Sequence, residues 1–225
     1  MTAYEENPYR RQTMNNKRSK RRRKKKRSAV LLLVVVALAV LGCYAAAKFI
    51  TRVYMPEYRL KRLANAVTPD YVEKNILGYD SNSRSGEKLE DFRGIVVHYV
   101  GNPGTSAQAN HNYFANPESN VASHFIIGLN GEIIQCIPLD EKSAASNWRN
   151  NDTISIEVCH PDESGAFTAA SYDSLVKLTK WLVELGKLNS DKAVIRHYDV
   201  TGKECPKYFV DNPDAWEAFK EDLKD

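Results

Sequence analysis

Gly94-Ile95-Val96-Val97-His98-Tyr99-Val100 is the stretch on which the fold turns. Its β-branched, apolar run reads as a buried strand with one imidazole near its centre. Alternation along a strand puts Val96, His98 and Val100 on one face, and Ile95, Val97 and Tyr99 on the other. Downstream, Thr105–Phe114 suits a helix with Tyr113 and Phe114 facing inward and His111 on its exposed polar side. The runs His124–Gly128 and Glu132–Ile137 flank Asn130-Gly131, a strong hairpin signal. Thr153–Cys159 reads as another strand. Residues 168–186 carry Tyr172, Leu175, Val176, Thr179, Leu182 and Val183 in a helical stripe capped by Thr168. Val194-Ile195 is a short strand leading to His197. Asp211-Asn212-Pro213 opens a last helix bearing Trp216 and Phe219, with Pro in the first turn. Strands interleaved with helices predict an α/β fold, a mixed central β-sheet flanked by helices.

Upstream the chain changes character. Residues 17–27, KRSKRRRKKKR, are cations apart from Ser19. Residues 29–50, AVLLLVVVALAVLGCYAAAKFI, are apolar apart from Lys48. Roughly 20 apolar residues are enough to cross a bilayer as a helix. Residues 1–27 hold 12 Lys and Arg against two Asp and Glu, a net of +10; the whole chain carries +4, so the remainder carries −6. The basic character therefore belongs to the tail. A cationic block before an apolar span keeps that end in the cytoplasm and exports the rest.

This predicts one N-terminal transmembrane helix ahead of the fold. The expected parts are a basic cytoplasmic tail at 1–28, an anchor at 29–50, a juxtamembrane stalk at 51–67 and a compact domain at 68–225. Binding of nucleic acid by the basic run is set aside, because a topology signal explains it more simply. Two processed alternatives are a cleaved signal peptide, with an unusually long apolar run, and lipoprotein processing at Val40-Leu41-Gly42-Cys43. Cys136 and Cys159 fall in apolar strand-like runs and read as unpaired core residues.

The chemistry gathers in His197-Tyr198-Asp199-Val200-Thr201-Gly202-Lys203-Glu204-Cys205-Pro206. An imidazole and a thiol stand there with seven residues between them, and His98 offers a third ligand from a distant strand. Zinc takes His nitrogen and Cys sulfur, and a catalytic site needs three protein ligands and an open position. Glu157 is out of phase with Ile154, Ile156 and Val158 on its strand. It reads either as a solvent-facing residue or as a general base. Lys203 reads as a surface lysine or as a cation facing a developing oxyanion. His160 is a candidate for the rim of the site, and His124 for a substrate contact.

Four blocks together resemble a known family: GIVVHYVGNPG (94–104), ASHFIIGLNGEIIQCIPL (122–139), NNDTISIEV (150–158) and IRHYDVTGKECP (195–206). They look like the type 2 N-acetylmuramoyl-L-alanine amidases, which share a fold with phage amidase endolysins and animal peptidoglycan-recognition proteins. The resemblance implies a Zn2+ enzyme that cuts the amide between N-acetylmuramic acid and the L-alanine of the peptidoglycan stem. His98, His197 and Cys205 match the family's zinc ligands. Glu157 matches the catalytic base, and Lys203 the lysine two before the ligand cysteine. Tyr99, Asn102, His124, Asn147 and Tyr198 are the expected substrate contacts. Ser123 stands where some phage members have a catalytic tyrosine, so Glu157 is expected to carry proton transfer alone.

The implied partners are peptidoglycan and, through the N-terminal helix, a cell membrane. The domain is expected on the extracytoplasmic side, in wall remodelling or turnover. Two alternatives differ in class. A membrane-anchored recognition module would bind muropeptide without cutting it. A cysteine hydrolase would use Cys205 as nucleophile and His197 as base, against which stand Pro206 and the lack of any helix start after Cys205.

Overall fold

A computed structural model describes residues 8–224, which leaves the first seven residues of the expected tail outside the described part. The chain divides into two compact units, Met1–Val53 and Tyr54–Asp225. Helix α1 is assigned to Pro8–Ala64. Within the first unit its side chains from Val30 to Ile50 are all exposed. This stretch is long and apolar enough to cross a membrane. A helix apolar on every face needs a lipid or protein cover.

The second unit is built on a six-stranded sheet of order β1-β4-β3-β5-β2-β6. The strands are β1 Val72–Lys74, β2 Gly94–Tyr99, β3 Phe125–Ile127, β4 Ile133–Gln135, β5 Thr153–Val158 and β6 Val194–Arg196. All pairings are parallel except the β3–β4 hairpin, so the sheet is mixed, as expected. Gly131 turns that hairpin at φ 84°. A Cβ there would come within 2.8 Å of the Ala170 carbonyl oxygen, so the position demands glycine.

Residues Gly94 to His98 on β2 are all buried, because both faces of the sheet are covered. One face, with Ile95, Val97, Ile154, Ile156 and Val158, packs into the larger core. Leu175, Leu178 and Leu182 of α3 (Ala169–Gly186) close that core. The short helices α4 (Ser190–Ala193), α5 (His197–Thr201) and α6 (Lys207–Asp211) lead to α7 (Pro213–Asp222). Phe209, Trp216 and Phe219 stack together there at centroid distances of 5.4 to 5.5 Å. The opposite face carries a smaller cluster of Ile126, Ile134, Ala107 and Phe114.

Helix α2 (Ala107–Ala115) is capped by Ser106, whose hydroxyl accepts from the Ala109 N–H. Two expectations about it are corrected. His111 is buried, with Nε2 2.7 Å from the Asn75 carbonyl oxygen, whereas Tyr113 is 58% exposed. The inward stripe is Ala107, His111 and Phe114, a spacing of i, i+4, i+7 that leaves Tyr113 about a third of a turn away.

The expected stalk also differs from what the structure shows. Leu63 is buried in the larger core, and Leu60 and Ala66 pack against it. Arg59 grips Asp91 through two bonds of 2.8 and 2.9 Å. Arg62 donates to the Leu185 carbonyl at the end of α3. Residues 54–67 are thus part of the folded unit, because Leu60 and Leu63 form one apolar edge of the helix.

Candidate metal centre

Register builds the site. His98 on β2 is the direct partner of Glu157 on the parallel β5, and both lie on the face away from the larger core. His98 Nδ1 and Glu157 Oε1 are 3.9 Å apart. Strand β6 delivers the chain to α5, whose first residue is His197. The His98 and His197 ring centroids are 4.5 Å apart. Gly202, at φ 77°, ends α5 in a left-handed cap. The Tyr198 N–H donates to the Cys205 carbonyl at 2.8 Å, folding the loop back on itself. The result brings Cys205 Sγ to 3.8 Å from His98 Nδ1. One ligand atom from each of His98, His197 and Cys205 lies within 4.8 Å of the others.

Burial sets the protonation states. It pushes the His98 imidazole well below its usual value, helped by His197 and the Lys203 cation. Burial and then Lys203 lower His197 as well. Both rings are therefore neutral near pH 7, the form that binds metal. Burial, and then the Glu157 carboxylate, push the Cys205 thiol up, against the pull of Lys203. A thiol kept protonated in this way is a poor free nucleophile, which argues against the cysteine-hydrolase alternative more strongly than the sequence did. Its helix-based objection fails, since α6 begins at Lys207. Glu157, with 18% of its side chain exposed, is lifted by burial to about 8, with Lys203 opposing.

The residues fit a zinc ion. His197 Nδ1 and Glu157 Oε2 are buried and lack a hydrogen-bond partner, a costly condition unless something else takes their lone pairs. The donor set of two imidazoles and one thiol suits a three-ligand catalytic zinc with one position left open.

A cleft of about 490 Å³ opens onto this group, walled by Tyr99, Val100, Tyr113, Val121 and Ala144, with Lys203 at its edge. Tyr99 and Lys203, both expected at the site, line this cleft. Asn102, Asn147 and Tyr198 do not line the cleft. Asn102 is exposed and its carbonyl accepts from Thr105. Asn147 is exposed at φ 55°, opening the 3-10 segment Asn147–Asn151. Tyr198 is half exposed beneath the Arg196 guanidinium.

His124 is corrected outright. It is fully buried, Nδ1 accepts from the Ser155 N–H at 3.0 Å, and Nε2 lies 2.9 Å from the Glu141 carbonyl oxygen. With both nitrogens engaged and the ring lowered by burial to about 4, it braces β3 against β5 and offers substrate nothing. His160 is buried behind Tyr99 at 5.0 Å between rings, not on the rim. Cys136 and Cys159 are buried free thiols, as expected. Sequence reasoning missed Ser146, whose hydroxyl lies 3.0 Å from His98 Nε2; it sits in an irregular loop with no periodic signal.

The family model described as N-acetylmuramoyl-L-alanine amidase matches residues 88–208. The chain belongs to the N-acetylmuramoyl-L-alanine amidase family. His98, Glu157, His197, Lys203 and Cys205 all fall inside the matched segment, and the apolar stretch of α1 falls outside it. Among relatives, the N-acetylmuramoyl-L-alanine amidase BlyA of Bacillus subtilis (strain 168) is 30% identical over 165 residues, 63% of this chain and 44% of the relative. The amidase CwlL of Bacillus licheniformis is 27% identical over 166 residues, 66% of this chain and 45% of the relative. The chain thus spans less than half the length of these two curated relatives. The catalytic domain of XlyA superposes with a TM-score of 0.59 at 26% identity, covering 68% of this chain and 98% of that domain. PlyL shares the fold, with a TM-score of 0.60 at 21% identity.

Proposed function

We propose that this amidase-family chain hydrolyses the amide bond between N-acetylmuramoyl and L-alanine in peptidoglycan, with zinc held by His98, His197 and Cys205. The observation that carries the reading is the convergence of those three ligand atoms within 4.8 Å of one another, with Glu157 beside them. Zinc at this site supplies Lewis acidity, polarising an amide carbonyl and making water more acidic.

The chain's own residues do the remaining work. Glu157 turns an unpartnered Oε2 toward no protein donor, so that oxygen is free to take a proton from attacking water and pass it to the leaving amine. Its burial raises its proton affinity toward neutrality, the range in which one group both accepts and returns a proton. Lys203 lowers the His98, His197 and Cys205 titrations by its charge, and the same charge opposes negative charge developing on the carbonyl oxygen. Val100, Val121 and Ala144 give the cleft an apolar wall that sheds water around the scissile bond.

The apolar stretch of α1 anchors the chain in a cell membrane, single-pass, with the basic N-terminus cytoplasmic and the catalytic unit outside. The polymer substrate lies on that side, and the activity serves wall remodelling or turnover. Release of soluble peptide from dye-labelled peptidoglycan tests this. Activity should vanish on chelation and return with zinc; release that survives full metal removal refutes the zinc assignment.

A further inference from the structure

We propose that Ser146, clamped by Asn150, is the positioning residue that holds His98 with Nδ1 turned to the metal. This rests on the zinc reading above. The two nitrogens of the His98 ring face different surroundings. Nδ1 looks toward Cys205 Sγ at 3.8 Å and Glu157 Oε1 at 3.9 Å. Nε2 lies 3.0 Å from the Ser146 hydroxyl. A neutral imidazole carries one N–H. When Nδ1 gives its lone pair to a metal, the proton sits on Nε2 and donates to Ser146 Oγ. A half-turn of the ring would put Cδ2 and Cε1 where the two nitrogens stand and break both relations, so the hydroxyl selects the ring's orientation.

The hydroxyl is itself fixed in place. Asn150 Oδ1 accepts from the Ala145 N–H at 3.1 Å and the Ser146 N–H at 2.7 Å. The Ser146 carbonyl accepts from the Arg149 N–H at 3.0 Å. Ser146 and His98 are 0% and 1% exposed, so bulk water does not replace a lost bond, and a buried N–H deprived of its partner bears the desolvation cost. Ala144 and Ala145, next in the same loop, line the cleft. One short stretch of chain therefore shapes the cleft wall and restrains a ligand. Ser146 reaches the group only through the far nitrogen of His98, and Asn150 acts through Ser146, which is the position of an outer-shell partner that orients a metal-bound histidine.

Zinc affinity of the full chain in detergent, measured by competition with a chromophoric chelator, tests this together with the visible spectrum of the cobalt(II)-loaded protein. Ser146→Ala should weaken zinc binding by about 10- to 100-fold and shift the cobalt bands, whatever the change in the metal-free melting temperature. Asn150→Ala should weaken binding in the same direction, whereas Asn150→Asp, which keeps the accepting oxygen, should return most of the affinity. Should Ser146→Ala fail to fold, the Asn150 pair decides the matter alone. Parental affinity in Ser146→Ala and Asn150→Ala overturns the proposal. So does a lowered metal-free melting temperature with an unchanged cobalt spectrum, which marks a merely structural role. A parent chain that binds no zinc overturns the zinc reading and this inference with it, whereas a parent that binds while the variants bind equally well overturns only the inference.

Discussion

Glu157 stands opposite His98 only because β2 and β5 run parallel in this register; a slip of one residue would send it to the apolar face. Replacing it by Gln keeps the shape and removes the proposed base. Turnover should fall by about 10²- to 10⁴-fold with zinc content unchanged, as measured by peptide release alongside metal analysis. The same variant carries a stability signature in the metal-free protein. Burial lifts the Glu157 carboxyl from 4.5 to about 8, so the folded state holds a proton that the unfolded chain releases between those values. Stability of the metal-free chain therefore falls as pH rises from 4.5 to about 8 and levels off above. Glu157→Gln should remove that decline in melting temperature; an identical pH profile in both proteins would count against a buried Glu157.

At this scale the sequence was informative about ligands and poor on the other histidines. His98, His197 and Cys205 stood out because few side chains bind zinc. The burial of His111 and His124 depends on carbonyls from Asn75 and Glu141, which are distant in sequence and leave no local mark. Ser146 was invisible for the same reason.

Among the elements, β2, β5 and the β3–β4 hairpin were readable because β-branched runs and Asn130-Gly131 specify them locally. Strand β1 was not. Val72-Glu73-Lys74 has no alternation of its own and becomes a strand by pairing with β4. The end of α1 was read as a stalk because its charges conceal a narrow apolar edge.

That edge makes predictions. Leu63→Ala should cost about 2–5 kcal/mol of stability in the second unit, read by denaturant unfolding, whereas a free stalk would show no change. Burial raises the Asp91 carboxyl, but bonds from Arg59, Arg93 and the Phe92 N–H outweigh it and hold the group below its usual value. Its contribution to stability is present above about 3.8 and is lost as pH falls through the lower folded value. Arg59→Ala should start acid unfolding at a higher pH, seen by circular dichroism.

At the level of the whole molecule, charge and hydropathy point to an anchor, and four sequence blocks point to an amidase. These two lines are independent, and they converge on the compartment that holds peptidoglycan. The strand order of the sheet was not readable, because it is set by long-range pairings. If the anchor reading holds, protease added to intact spheroplasts should remove the catalytic unit and leave a tag at residue 1 protected; protection of the catalytic unit would reverse the topology.

The most direct test of the central claim is mass spectrometry of purified peptidoglycan digested with the full chain. The account predicts stem peptides with a free L-alanine amino terminus and glycan strands whose N-acetylmuramic acid has lost its peptide, both absent after chelation and strongly reduced with Glu157→Gln. Cleavage at a glycosidic or an internal peptide bond, or no cleavage with zinc bound, would contradict it.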